Sequence, residues 1–184
     1  MLRTLLYVGG LLAVLFFGFS LYGKAAPRFF PPTVPEMAPP SQRADAVQVI
    51  KSERVMRLLR EGEVIAEYRI ALGGSPEGHK QQEGDQRTPE GEYIIDWRNP
   101  RSIGHLSLHV SYPNEDDRAV ARELGVDPGG TIMIHGILNG WGWLGRLHRY
   151  WDWTDGCIAV TNQEMREIWS LVPNGTPITI KWSA

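Results

Sequence analysis

The sequence predicts a mainly β, sandwich-like domain with two short helices, preceded by an amino-terminal hydrophobic helix. Three observations carry this. From Ala44 onward, strand-length runs of β-branched and apolar residues alternate with glycine, proline and charge at the bends. Only two segments, 114–124 and 161–172, combine a capping residue with helical spacing. Ahead of them, residues 5–22 hold no charge and lead into a proline-rich tract.

Residues 1–23 form the first piece. The uncharged run is longer than most signal-peptide cores and close to the length that spans a bilayer. It has no good Ala-x-Ala site after it and no cysteine to lipidate. An uncleaved signal anchor is therefore expected ahead of a cleaved signal peptide, and either one exports the domain. Residues 24–43 read as a linker. Six of the chain's 13 prolines lie within 27–42, so this stretch is extended and semi-stiff and would hold a domain off a membrane. The domain itself is expected over 44–182, long enough for one real core.

Its elements follow in order. Runs 46–52, 55–60 and 64–71 read as a meander, with Glu61-Gly62 at one bend. Residues 72–90 are polar and glycine-rich and read as loop, and Thr88-Pro89-Glu90-Gly91 feeds a strand at 93–97. Residues 105–112 alternate, with Leu106, Leu108 and Val110 on one face and Ser107, His109 and Ser111 on the other. Asn114 is a good helix N-cap, Glu115, Asp116 and Asp117 suit the positive end of the helix dipole, and Gly125 suits the position after the last turn. Dipole compensation explains the acidic run, so it is not read as a metal site. After the turn Asp127-Pro128-Gly129-Gly130 comes a short buried strand at 131–134, and 158–160 forms another. Thr161 and Glu164 make a capping box, and Met165, Ile168, Trp169 and Val172 follow at helical spacing. Pro173-Asn174-Gly175 stops that helix, and Ile178, Ile180 and Trp182 alternate along a last strand.

A net charge of −2, with 22% charged and 42% hydrophobic residues, argues against a nucleic-acid binder, which normally presents a basic face. Chemistry points instead to Cys157, the only cysteine. A free cysteine is often buried and inert. An exported lone thiol has no disulfide partner, however, and is a liability unless it is buried or used. His135 ends one short strand and Cys157 starts the next, so the pair is a candidate nucleophile and base. The turn Asp155-Gly156-Cys157 offers successive N–H groups as an oxyanion hole. One cysteine with scattered histidines lacks the ligand spacing of a zinc site.

Between them lies 137–153, with Trp141, Trp143, Trp151 and Trp153 and three glycines. It reads either as a lid over a cleft or as a local hydrophobic cluster. Arg146, His148 and Arg149 are its basic residues, and one of them could meet a substrate carboxylate. His109 is either a substrate contact or a solvated strand residue. His79 and His105 have less support as functional residues.

The blocks IHG and TDGCIAVTN resemble the signature of the YkuD-type L,D-transpeptidase catalytic domain. ALGGSPEGHKQQEGDQRTPEGEYIIDWRNP, HLSLHVSYPN and DPGGTIMIHG resemble its proteobacterial murein branch. The resemblance covers about 44–182. It implies a YkuD-like β-sandwich, no cofactor or metal, and action on peptidoglycan stem peptides. In roles, it implies Cys157 as nucleophile, His135 as proton donor and acceptor, and the Gly136 carbonyl as the group orienting His135. Independently of the resemblance, the residues themselves nominate the Asp155, Gly156 and Cys157 amides to hold the oxyanion, and His109, Trp141, Trp143, Arg146 and Trp153 to contact the substrate. Many members have histidine where Asp155 stands and arginine where Ala159 stands, which bears on substrate and acceptor. A hydrolase that releases a wall-attached protein or peptide is the rival within the enzyme class. A non-catalytic peptidoglycan-binding module is the rival outside it. The expected location is periplasmic, anchored to the inner membrane.

Overall fold

The computed structural model describes residues 33–183, together with Gly10, Val14, Gly18 and Leu21. Most of the expected anchor at 1–23 and residues 24–32 of the expected linker lie outside the described residues. The rest of that linker, 33–43, runs against the second helix of the domain: the Ala38 amide donates to the Ser170 carbonyl at 2.9 Å and Arg166 to the Thr33 carbonyl at 2.6 Å. No described helix is long and apolar enough to cross a membrane.

Strands β1 (Ala46–Ile50), β2 (Val55–Arg60) and β3 (Glu63–Arg69) form the expected antiparallel meander. Glu61 and Gly62 connect β2 to β3 with φ of 52° and 83°. Two positive φ values in a two-residue loop match the right-handed twist of the flanking strands. Then come β4 (Gly91–Asn99), β5 (Ser107–Val110), α1 (Glu115–Leu124), β6 (Met133–His135), β7 (Ile158–Ala159), α2 (Asn162–Leu171) and β8 (Thr176–Lys181). The second helix starts with the expected Thr161–Glu164 capping box, and at the first the expected N-cap Asn114 forms one too, with Asp117. Gly125 closes α1 in the left-handed conformation.

All eight strands belong to one sheet, in the order β3-β2-β1-β8-β4-β5-β6-β7. Past β3 the chain bridges to the far edge, Ala71 to Ala159 and Gly73 to Thr154. The sheet thus curls until its two edges meet, and the sandwich's two layers are parts of one continuous sheet. The hollow is filled by Val49, Met56, Leu58, Leu108, Ile134 and Ile158, all buried, and α2 adds Met165, Ile168 and Trp169. Each such aliphatic side chain contributes roughly 1.5–3 kcal/mol of burial. With three and two residues, β6 and β7 have few ladder bonds, so Ile134 and Ile158 do most to hold them.

Several strand boundaries differ from expectation, and at two of them a left-handed residue is the cause. Thr131 and His105 have φ of 58° and 65°, which breaks the extended chain. So β6 starts at Met133 and runs through His135, and β5 starts at Ser107. Between β4 and β5 the register shifts from Ile95↔Val110 to Arg98↔Leu108. Asp96 and Trp97 together therefore face His109, a bulge that re-aims both side chains.

Two buried or half-buried ion pairs fix the long connections. Lys51, fully buried, donates to the Gly78 and Thr88 carbonyls at 2.6 and 2.8 Å and to Glu90 at 2.9 Å, tying down loop 72–90. Asp152 accepts from Arg54 Nη2 at 2.8 Å and from the Leu72 amide at 2.9 Å, fixing the chain just ahead of Cys157. Replacing Asp152 by Ala removes the acceptor of both. It is expected to lower stability by about 1–3 kcal/mol, read as a lower denaturation midpoint in urea with an unchanged slope.

Candidate active site

Strand pairing brings the two reactive candidates together. β6 and β7 run parallel, with Ile134 level with Ile158 and His135 level with Ala159. Successive side chains of a strand point to opposite faces. Ile134 and Ile158 face the core, so Met133, His135 and Cys157 share the other face. β5 pairs antiparallel with β6 and sets Ser107 opposite His135. His135, Ser107 and Cys157 all line one cleft of about 480 Å³.

The imidazole is held tightly. Its Nδ1 lies 2.6 Å from the Gly136 carbonyl oxygen. A carbonyl only accepts, so Nδ1 carries the proton and Nε2 is left unprotonated, able to accept one. The ring packs edge-on to Trp153, with centroids 5.7 Å apart. Behind it, a Cβ on Gly104 would fall 2.8 Å from Nδ1 and 2.9 Å from the Gly136 oxygen. Glycine at 104 is therefore a steric requirement. Burial pushes the His135 pKa down, and the bond to Gly136 opposes this in part.

Cys157 is half-buried, and its Sγ donates to the Thr131 carbonyl at 3.7 Å. Burial pushes the thiol pKa up and the Asp155 charge adds to this, while the Met133 amide and Lys80 oppose it. Both shifts disfavour charge, so the thiol and the imidazole that line this cleft both rest neutral. The turn ahead of the sulfur is rigid. Gly156 has φ of 121°, and a Cβ there would sit 2.5 Å from the Arg87 carbonyl oxygen. Thr154 Oγ1 accepts from the Gly156 amide at 3.2 Å and donates to the Cys157 carbonyl at 2.7 Å. The Gly156 amide is thus already engaged, which leaves those of Asp155 and Cys157 as the better oxyanion donors.

Of the five expected substrate residues, Trp153 lines the cleft. Trp141 lines an adjoining apolar pocket of about 210 Å³ with Leu138, His148 and Trp151, and Trp153 borders both. Trp143 is 69% exposed. Arg146 lines a separate polar groove with Glu67 and Glu164. His109 sits behind Trp97, stacked at 4.9 Å, and its Nδ1 is 2.6 Å from Asp96. The connection 137–153 combines both expected forms. Residues Gly142–Tyr150 make 3-10 turns broken at Gly145, held by an Arg149–Glu164 ion pair, and contribute an exposed aromatic rim.

Sequence reasoning missed the opposite wall: Trp97, Arg101, Ile103, Gly104 and Ser107. Ser107 was legible, since it lies on the polar face of an alternating strand. Trp97 enters through a bulge that no periodicity marks. Among the described residues, no three His, Cys, Asp or Glu side chains are grouped to hold a metal.

His148 is 1% exposed, and its Nδ1 accepts from Trp153 Nε1 at 3.4 Å. Burial, with Arg149 next, pushes its pKa down to about 4. Above the usual imidazole value of 6.5 the ring is neutral whether the chain is folded or not. As pH falls from there toward 4, the unfolded chain takes up the proton first and the fold loses stability. The expected loss is on the order of 2–3 kcal/mol. Thermal melts from pH 7 to 4 should show it, and His148→Gln should flatten the dependence.

The family model for the L,D-transpeptidase catalytic domain (YkuD) matches residues 44–180. YafK of Escherichia coli (strain K12) is 32% identical over 133 residues, which is 68% of this chain and 46% of YafK. Among solved structures, the fold resembles the helical cell shape determining protein Pgp2 from Campylobacter jejuni. That match has a TM-score of 0.56 and 24% identity, and covers 76% of this chain and 48% of Pgp2. Bd1075 of Bdellovibrio bacteriovorus follows at 0.53 and 23%, covering 84% of this chain and 54% of that one. The chain thus spans about half the length of the relatives it matches. By its matched residues, which take in both the His135 and Cys157 blocks, this chain belongs to the L,D-transpeptidase catalytic domain family.

Proposed function

We propose that this chain is an exported, cysteine-dependent L,D-transpeptidase acting on peptidoglycan stem peptides. The observation that carries the reading is the placement of Cys157 and His135 on the same face of two paired strands, in one cleft. In this reading residues 1–23 anchor the domain to the inner membrane and 24–32 space it into the periplasm, while 33–43 pack on the domain.

The chemistry follows from the protonation states. His135 Nε2 takes the thiol proton as Sγ attacks the carbonyl carbon of an L,D-peptide bond. The carbonyl oxygen becomes an oxyanion held by the Asp155 and Cys157 amides. Nδ1–H stays on the Gly136 carbonyl and stabilises the imidazolium that forms. As the tetrahedral intermediate collapses, Nε2–H protonates the departing amine and a thioester remains on Cys157. A second amine, or water, then gives up a proton to Nε2 and displaces the thiol. An amine yields a new cross-link and water yields hydrolysis.

Three results are expected. Purified protein incubated with muropeptides acquires a thioester mass on Cys157, and Cys157→Ala acquires none. His135→Ala folds but acylates at least about 100-fold more slowly, the scale of a lost general base. The acidic limb of kcat/KM lies below pH 6.5, the usual imidazole value, because His135 stays neutral to lower pH. Mass spectrometry of the products separates cross-linked muropeptides from free acids. Retention of wall material without any covalent adduct, with a stem peptide or with a carbapenem, overturns the reading in favour of a binding module.

A further inference from the structure

Outside the cleft, loop 72–90 holds a buried ion pair. Lys80 is 3% exposed, and its ammonium donates to Asp85 Oδ1 at 2.8 Å and to the Gln82 carbonyl at 2.9 Å. Asp85 in turn accepts from the Gln81, Gln82 and Arg87 amides at 2.8, 3.2 and 3.0 Å. Burial pushes the Asp85 carboxyl pKa up, but the Lys80 and backbone bonds outweigh it and hold the group below the usual carboxylate range. These bonds make 80–87 one rigid turn, and its far end is wedged against the site. The Gln86 carbonyl oxygen lies 2.1 Å from where a Cβ on Gly73 would sit, and the Arg87 carbonyl oxygen 2.5 Å from one on Gly156. Gln86 also accepts from the Ser75 amide at 3.1 Å, while the Gly74 amide donates to the Thr154 carbonyl at 3.0 Å. Residues 86–87 therefore lie between 73–75 and 154–156, and back the turn whose Asp155 and Cys157 amides are the oxyanion donors. Two charges act on the sulfur with opposite sign, Asp155 from its own turn and Lys80 from this loop, while His135 on β6 is neutral. A buried ion pair stabilises a fold no more than a well-packed apolar pair of the same volume. The cation this one keeps dry is instead within range of the place where negative charge must develop.

We propose, on the reading given above, that Lys80 and Asp85 are positioning residues for the reaction. Their ion pair holds the Gln86 and Arg87 carbonyls against the 155–157 turn, so the oxyanion amides are set before substrate binds. It also keeps one cation near the sulfur, opposing Asp155, as charge builds there and on the attacked carbonyl oxygen.

The test reads thiol ionisation first, without substrate. Cys157 is the only cysteine, so the pH dependence of alkylation by iodoacetamide in the full chain gives its midpoint. Lys80→Gln, which keeps a hydrogen-bond donor but no charge, should raise that midpoint by about half a unit or more. Lys80→Arg should restore it. With stem tetrapeptides, Lys80→Gln should lower kcat about tenfold and leave KM within about twofold, the pattern of lost transition-state stabilisation. A second measurement needs no variant of Lys80. In wild-type chain isotope-labelled at the lysine Cε carbons, Lys80 should hold its proton to higher pH than it does in Cys157→Ser, because coupling between two sites is reciprocal. An unmoved thiol midpoint in folded Lys80→Gln, or the same Lys80 titration in wild type and Cys157→Ser, makes the pair a structural brace alone. Either result overturns the proposal and leaves the thioester chemistry standing. Failure of every peptide and of a carbapenem to acylate wild-type Cys157 overturns the functional reading and this proposal together.

Discussion

The parallel pairing of β6 with β7 is the constraint on which the site depends. Two strands of three and two residues fix the relative position of His135 and Cys157. A slip of one residue would turn both side chains into the core and bring Ile134 and Ile158 out. Burial of those two isoleucines sets the register, so core packing and the geometry of the candidate site have one cause. The pairing continues past β7, where the Val160 amide donates to the His135 carbonyl at 2.9 Å.

Such short strands need support from outside the ladder. Ala71 brackets Ala159 from the other edge of the sheet, with bonds of 2.9 and 2.8 Å in the two directions. Asp152 and Lys51 anchor the loops on either side of that edge. Asn162, the first residue of α2, accepts from the Ile137 amide at 2.8 Å and so braces the chain leaving His135. Glycine appears where these supports crowd the site: at 104 behind the imidazole, at 136 against Asn162, and at 156 against Arg87. The sulfur and ring sit in a closely packed frame that disfavours charge on either.

Much of this was legible in the sequence. The meander, the Thr161–Glu164 capping box, the Asn114 and Gly125 caps and the apolar face of α2 follow from local chemistry, and they fold as read; Trp182, expected on the last strand, lies past the end of β8 and is exposed. The closure of one sheet into two layers was not legible, because the bridges at Ala71 and Gly73 join segments with no pattern of their own. For the site, spacing and chemistry marked His135 and Cys157, since a lone thiol beside a glycine turn is distinctive. The opposite wall was hidden. Trp97 depends on a bulge, and Arg101 lies on a connection whose path only the fold determines. The tryptophans of 137–153 were conspicuous by composition, yet Trp153 alone of the four reaches the cleft. Composition does not say which ring faces inward.

The protonation state of the resting pair is open to direct measurement. Titration of the Cys157 thiolate by its ultraviolet absorbance, in the full chain and against Cys157→Ser as the blank, reports it without substrate. A neutral thiol beside a neutral imidazole predicts no thiolate signal near neutral pH and ionisation above the usual thiol value of 9. A thiolate already formed below pH 7 would mean that the sulfur and His135 rest as an ion pair, and would contradict the general-base mechanism derived from this cleft.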